Sequence, residues 1–125
     1  MDIKPIRTKA DYKTALRAVE SLMGARARTP EGDRLDVLVT LIEAYERQHF
    51  PMDLPDAVEA IKFRMEQQGL SAKDLEPLIG RSNRVYEVLN RKRNLTLTMI
   101  QKLHLGLGIP AESLLRQRSV ASAGR

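Results

Sequence analysis

Short apolar segments with helical spacing, each closed by a glycine, constrain the fold of this chain most strongly. After residue 55 the apolar residues recur every three or four positions, and the segments end at Gly69, Gly80 and Gly108. Glycine commonly follows the last turn of a helix because it adopts left-handed backbone angles without a steric penalty. No stretch shows sustained alternation of apolar and polar residues, so we predict an all-α protein.

The residues after Pro55 predict five short helices, with limits near 56–68, 71–79, 82–90, 96–107 and 110–115. Ser71 and Asp74 have the spacing of a capping box at the start of the second helix. Pro77 has no backbone donor and should distort the end of that helix. Two short helices joined by a tight turn, here at Gly80, are typical of a helix-turn-helix unit.

The first 50 residues predict two longer helices, the first running from Thr8 to near Gly24 and the second starting at Thr29. The second helix carries two apolar stripes, one of Leu35, Leu38, Val39, Ile42 and Tyr45, the other of Val37, Leu41 and Ala44. A helix with this pattern needs cover on both sides. We therefore expect a dimer or partner surface here. The alternative is that Leu16 and Leu22 wrap around the helix within one chain.

These patterns divide the chain into a helical dimerisation region (1–50), a linker (51–55), a helix-turn-helix domain (56–115) and a disordered tail (116–125). The sequence has no cysteine, which excludes disulfides and thiolate-bound metals. No signal peptide is apparent, and no apolar stretch approaches the roughly 20 residues that cross a bilayer. We therefore expect a cytoplasmic protein without membrane association, metal site or cofactor.

The net charge of +5 is unevenly distributed along the chain. Residues 1–54 carry nine basic and nine acidic residues, whereas residues 55–125 carry twelve and seven. Within residues 81–93 five residues are basic and only Glu87 is acidic. This concentration is the electrostatic pattern expected of a protein that binds a polyanion. The alternative is a solvated face that has no partner.

The third helix after Pro55 is the one that a helix-turn-helix unit would place in the major groove of DNA. Val85, Val88 and Leu89 should face the core, which leaves the polar residues outside. Arginine can bond guanine bidentately, and asparagine can bond adenine in the same way. The base-reading candidates are Ser82, Asn83, Arg84 and Tyr86.

Polar and basic residues around this helix are suited to phosphate contacts, which position a protein on DNA without reading its sequence. The phosphate candidates are Ser71, Lys73, Arg81, Arg91, Lys92 and Arg93. We expect Glu87 to be a solvated partner of Arg84 or Arg91.

Other functional classes have less support in the sequence. It has no nucleophile motif, Gly-rich phosphate loop or His/Cys cluster, so we assign no catalytic residue and do not expect an enzyme. We interpret His104 as a packed or surface histidine, and Glu31 and Asp33 as acids favoured at a helix start. A protein-binding adaptor, which would show no salt-dependent affinity for DNA, is a further alternative.

The chain also resembles a known family over residues 3–115. The resemblance to the Xre/Cro-type helix-turn-helix family lies in residues 61–67, 69–71, 74–75, 79–80, 84–85, 87–90, 92–93 and 95–97. A narrower resemblance, to the HigA-like antitoxins of type II toxin–antitoxin pairs, lies in residues 3–8, 11–12, 30–33 and 41–46.

The resemblance implies a five-helix lambda-repressor-like domain and a homodimer that binds a palindromic operator in double-stranded DNA. It also implies that the protein represses its own operon and neutralises a small mRNA-cleaving toxin, with residues 1–50 available for toxin contact. A transcriptional regulator without a toxin partner is the alternative. The family's base-reading and phosphate positions correspond to Ser82, Asn83, Arg84, Tyr86 and residues 91–93.

The chain departs from the family pattern at four positions. Glu76 replaces a usually small residue, and Pro77 follows it. Arg91 replaces the usual glycine after the reading helix, at a position that favours a left-handed backbone. Tyr86 stands where a small polar residue is common, so the operator sequence cannot be transferred from a relative.

Overall fold

The computed structural model describes residues 3–49 and 55–117, and all regular structure in these ranges is helical. The predicted all-α class is therefore confirmed. None of the helices within these ranges is long and apolar enough to cross a membrane. The chain divides into two compact units between residues 54 and 55. Most of the predicted linker (51–54) and of the predicted tail (118–125) lies outside the described residues.

The first unit contains helices α1 (Lys9–Leu22) and α2 (Pro30–His49), which pack against each other. A capping box formed by Thr8 and Asp11 is present at the start of α1. The Thr8 hydroxyl accepts a hydrogen bond from the Asp11 N–H at 3.0 Å, and the Asp11 carboxylate accepts one from the Thr8 N–H at 3.1 Å. Hydrogen bonds from the backbone N–H groups of Arg7 and Thr8 hold the pKa of Asp11 below its ordinary value.

The connection between α1 and α2 requires glycine at position 32. The Thr29 hydroxyl donates to the Arg26 carbonyl at 2.7 Å and accepts from the Gly32 N–H at 3.0 Å, which brings the loop against the first turn of α2. A Cβ at position 32 would lie 2.1 Å from the Arg26 carbonyl oxygen. This close approach would exclude any other residue without a shift of the backbone.

The two apolar stripes of α2 differ in burial. Leu35, Leu38, Val39 and Ile42 of the first stripe are buried, and Tyr45 is partly buried. In the second stripe Val37 is 45% exposed, and Leu41 and Ala44 are only partly buried. Cover within one chain is therefore partial for Leu41 and Ala44, and Val37 remains exposed.

The second unit packs its helices around one apolar core. It contains α3 (Ala57–Gln68), a 3-10 turn (Ala72–Leu75), α4 (Glu76–Ile79), α5 (Ser82–Leu89), α6 (Leu97–Leu107) and α7 (Ala111–Leu115). Helix α5 packs on the 3-10 turn, α4 and α3, while α6 packs on α4 and α7. The fully buried core residues include Ile61, Leu75, Val85, Ile100, Leu103 and Leu114.

The predicted continuous helix over 71–79 is wrong. The segment is a 3-10 turn followed by a single α-helical turn, and Pro77 lies at the start of that α-turn rather than near the end of a longer helix. Proline lacks an N–H and clashes with the carbonyl four residues before it, but it fits in a first helical turn. The helix therefore starts again at Glu76 instead of continuing from Ser71.

The predicted disordered tail begins too early at residue 116. The Arg116 carbonyl accepts a hydrogen bond from the Ala57 N–H at 2.9 Å. The Gln117 amide accepts from the Leu95 N–H at 2.6 Å and donates to the Leu95 carbonyl at 3.3 Å. Both residues are therefore part of the folded second unit. Sequence patterns missed them because the pairing joins positions 22 residues apart.

Replacing Gln117 with alanine is expected to lower the free energy of unfolding by about 1–2 kcal/mol, because the half-buried Leu95 backbone loses both partners. Urea denaturation of the full chain measures the difference. Gln67→Ala, at an exposed position in α3, is the control and should change stability little. Equal stability of the two variants would show that the Gln117 hydrogen bonds do not contribute.

Candidate nucleic-acid interface

Helix α5 presents a polar face to solvent on an apolar base. Val85, Val88 and Leu89 are buried, as predicted. All four base-reading candidates are exposed, and they lie within the first five residues of the helix: Ser82, Asn83, Arg84 and Tyr86. Tyr86 is 55% exposed. A large aromatic residue left open on a polar helix face is available to a partner surface.

A tight turn at Gly80 and Arg81 joins α4 to α5. Gly80 has φ of 140°, a conformation that L-residues with side chains rarely adopt. The Arg84 side-chain stem lies beside this turn, since a Cβ at Gly80 would be 3.4 Å from its Cδ. The stem is thus supported by the turn, while the residue as a whole is exposed.

The cations around α5 fall into two classes. Within the two described ranges, the side chains of Arg81, Arg84, Lys92 and Lys73 form no ion pair, and all four residues are exposed. Arg91 and Arg93, by contrast, are each paired with a carboxylate of the same unit. No neighbouring carboxylate neutralises the four unpaired cations, so they are available to an anionic ligand.

Arg91 has a defined structural partner. It follows α5 with φ of 60°, so the predicted left-handed backbone is present. Its Nε and one terminal nitrogen donate to the two oxygens of Asp56 at 2.9 and 3.1 Å. The Asp56 side chain is 3% exposed, and it also caps α3 by accepting from the Glu59 N–H at 3.0 Å. The hydrogen bond to Asp56 raises the pKa of Arg91.

This pair changes the interpretation of Arg91. A bidentate arginine–carboxylate pair occupies one fork of the guanidinium and neutralises its charge, so less of the charge and fewer of the donors remain for a phosphate contact. The guanidinium therefore ties the end of α5 to the start of α3, and a contact with DNA phosphate lacks support from the geometry.

Glu87 pairs with Arg93, not with Arg84 or Arg91 as the sequence analysis expected. The Arg93 Nε donates to the Glu87 carboxylate at 2.8 Å, and both side chains are 45% exposed. The partner differs from the expected one because the chain turns back after Asn90. That reversal places a residue six positions along the chain beside the helix face.

Ser71 and Lys73 lie at the 3-10 turn. The Ser71 N–H and hydroxyl both donate to the Asp74 carboxylate, at 2.8 and 3.1 Å. Its N–H is therefore already occupied, and an amide contact from Ser71 to phosphate lacks support. Lys73 is exposed and remains available.

Residues that would indicate a metal site do not come together in the part of the chain that the structure describes. The ring of His104 bonds its Nδ1 with the Ile109 carbonyl at 2.8 Å, which gives this histidine a structural contact at the end of α6.

Sequence reasoning missed the partners of two acidic residues in this region. The capping-box spacing of Asp56 and Glu59 predicts that Asp56 caps a helix. Its pairing with Arg91, 35 residues away, had no local signal. Helical spacing placed Glu87 on the outer side of α5, but its pairing with Arg93 was not predicted.

The chain was also compared with known proteins. Neither a protein-family model nor a curated protein sequence matches it.

Proposed function

We propose that this protein is a sequence-specific DNA-binding transcriptional repressor whose second unit is a lambda-repressor-like helix-turn-helix domain. The observation that carries the proposal is α5, which is short, anchored by a buried apolar face and exposed along a polar face. Unpaired cations precede it, lie within it and follow it, at Arg81, Arg84 and Lys92. This combination suits a helix that lies in the major groove between two phosphate backbones.

The proposed chemistry divides the residues by role. Arg84 and Asn83 have side chains that can bond guanine and adenine through two hydrogen bonds each. Tyr86 packs against a thymine methyl or contacts phosphate. Arg81 and Lys92 contact phosphates, so their contribution to affinity does not depend on base sequence and weakens with salt.

A repressor of this kind acts as a two-fold dimer on a palindromic operator. Its two reading helices occupy successive major grooves about 34–36 Å apart. Bound at its own promoter in the cytoplasm, the dimer would block RNA polymerase. Selection from a library of duplexes with a randomised centre tests this proposal, because the selected pool should contain inverted repeats with half-sites one helical turn apart.

The exposed stripe of α2 supports a protein partner for the first unit. Val37, Leu41 and Ala44 leave an apolar surface of the kind that a second copy or a partner covers. With the resemblance to HigA-like antitoxins, we propose that this partner is a small mRNA-cleaving toxin. A regulator without a toxin would have no such gene beside it and would not rescue cells that express one. The same stripe also favours the second candidate, a protein-binding adaptor.

Replacing Lys92 with alanine is expected to weaken binding to every duplex and to lower the slope of log affinity against log salt by about one. Lys92 is exposed and has no acidic partner, so its ammonium group can neutralise a DNA phosphate and release the counterion bound there. Fluorescence anisotropy at several salt concentrations measures the slope. Lys102→Ala, an exposed cation of α6, is the control, and an unchanged slope for Lys92→Ala would remove this residue from the interface.

A further inference from the structure

Glu87 lies in the middle of the outward face of α5. It is four residues after Asn83 and three before Asn90, and residues at these spacings share one side of a helix. Asn83 and Asn90 are exposed, and the Glu87 side chain is 45% exposed. Arg84, three residues before Glu87, lies on the same side with its stem beside the turn at Gly80. The centre of the proposed reading face is therefore a carboxylate.

A carboxylate at that place needs a physical reason, because DNA phosphates repel it. The Arg93 guanidinium supplies one by donating to a Glu87 carboxylate oxygen at 2.8 Å. The pair is locally neutral, and one carboxylate oxygen is held while the other can accept a hydrogen bond. Arg93 was a phosphate candidate, but its position makes it the group that neutralises and orients Glu87.

We propose that Glu87 is a specificity-determining residue that accepts a hydrogen bond from the N4 amino group of cytosine, with Arg93 holding the carboxylate in place. The inference rests on the proposed DNA-binding function. An ionised carboxylate has only acceptors, so it favours a base edge that offers a donor. Cytosine offers its N4 amino group in the major groove, whereas guanine O6 and N7 and thymine O4 are acceptors that would repel the carboxylate. Adenine also offers an amino group, N6, but its neighbouring N7 is an acceptor that disfavours a carboxylate beside it.

Two substitutions separate this role from a simple charge effect. Glu87→Gln keeps the shape and one acceptor but adds a donor, so guanine and thymine are no longer excluded. Arg93→Ala leaves the carboxylate without the partner that neutralises and orients it, so binding should weaken on every duplex and the cytosine preference should also fall. Glu66→Gln, at an exposed position in α3, removes one negative charge elsewhere on the unit and is the matched control.

The experiment is selection of a randomised duplex library by the full-length protein, followed by affinity measurements on single-base variants of the selected duplex. We expect the wild type to enrich cytosine at one pair in each half-site. In Glu87→Gln this preference should fall by roughly five- to tenfold, with the other positions unchanged. Glu66→Gln should keep the wild-type preference.

Two other results have distinct meanings. An unchanged base preference at every position in Glu87→Gln would overturn the inference, even if affinity rises equally on all duplexes, because the residue would then act only through its charge. Failure of the wild type to enrich any sequence would instead contradict the proposed function itself.

Discussion

Replacing Arg91 with alanine is expected to lower the free energy of unfolding of the second unit by about 3 kcal/mol, the cost of leaving a buried carboxylate without its ion-pair partner. The Asp56 side chain is 3% exposed, so its carboxylate is largely removed from water and depends on the guanidinium for compensation. Arg91 is 39% exposed, which places the effect at the lower end of the range for buried pairs. Urea denaturation measures the loss.

Glycine at the same position separates the ion pair from the backbone. Arg91 has φ of 60°, which costs a residue with a side chain about 1–2 kcal/mol relative to glycine. Arg91→Gly should therefore be less destabilised than Arg91→Ala, yet still less stable than the wild type. A glycine variant that is more stable than the wild type would show that the Asp56 pair contributes less than the backbone strain that glycine relieves.

Arg28 is a matched control for this experiment. It has φ of 65° but is exposed, and the structure gives it no partner. Arg28→Gly should leave stability unchanged or raise it by up to about 1 kcal/mol, since it relieves strain without breaking a pair, and the greater freedom of glycine in the unfolded chain offsets part of the gain. Arg91→Gly should therefore destabilise the protein, whereas Arg28→Gly, at nearly the same φ, should not.

The pH dependence of the Arg91 contribution follows from its raised pKa. A cation whose pKa is higher in the folded state stabilises that state below its unfolded pKa. The stabilisation is lost only as pH rises through the folded value, which lies above the already high ordinary pKa of arginine. Because the guanidinium does not titrate near neutral pH, its contribution to the difference in free energy of unfolding between wild type and Arg91→Ala should stay constant there.

Replacing Arg84 with alanine is expected to weaken binding to the selected operator by about 1–3 kcal/mol and to relax the preference at one base pair. Arg84 is exposed and unpaired, and its stem rests against the turn at Gly80. The guanidinium is therefore available without breaking an internal ion pair. Anisotropy titrations on the operator and on single-base variants measure both effects.

Lysine at position 84 is the control for charge alone. Arg84→Lys keeps the positive charge but loses the planar fork that bonds guanine through two donors. It should keep most of the affinity for a scrambled duplex and lose base preference. Equal loss of affinity on all sequences in Arg84→Ala would instead make this residue a phosphate contact.

Local signals in the sequence predicted most of the helices. Thr8 and Thr96 cap α1 and α6, and Gly69 and Gly108 close α3 and α6 with left-handed backbone angles. These features depend on residues three or four positions apart, so a single sequence contains all the information. Periodicity in the same way predicted the buried side of α5.

Features that depend on distant residues were not predictable in the same way. The second helix of the unit was expected to be continuous, although Pro77 starts a new turn after the 3-10 segment. The partners of Arg91 and Gln117 lie 35 and 22 residues away, and no periodicity connects such positions. Composition indicated a basic cluster but could not show which of its cations are already paired.

The measurement that tests the account most directly is a gel shift of the purified full-length protein on its own promoter, with a scrambled competitor and a series of salt concentrations. If the protein binds DNA specifically, we expect a complex that resists the scrambled competitor. Its affinity should fall steeply as salt rises, because several lysines and arginines release counterions from the phosphates. Absence of any complex at low salt would contradict DNA binding. The exposed face of α5 would then be an ordinary polar surface, and the exposed stripe of α2 would make a protein-binding adaptor the better account.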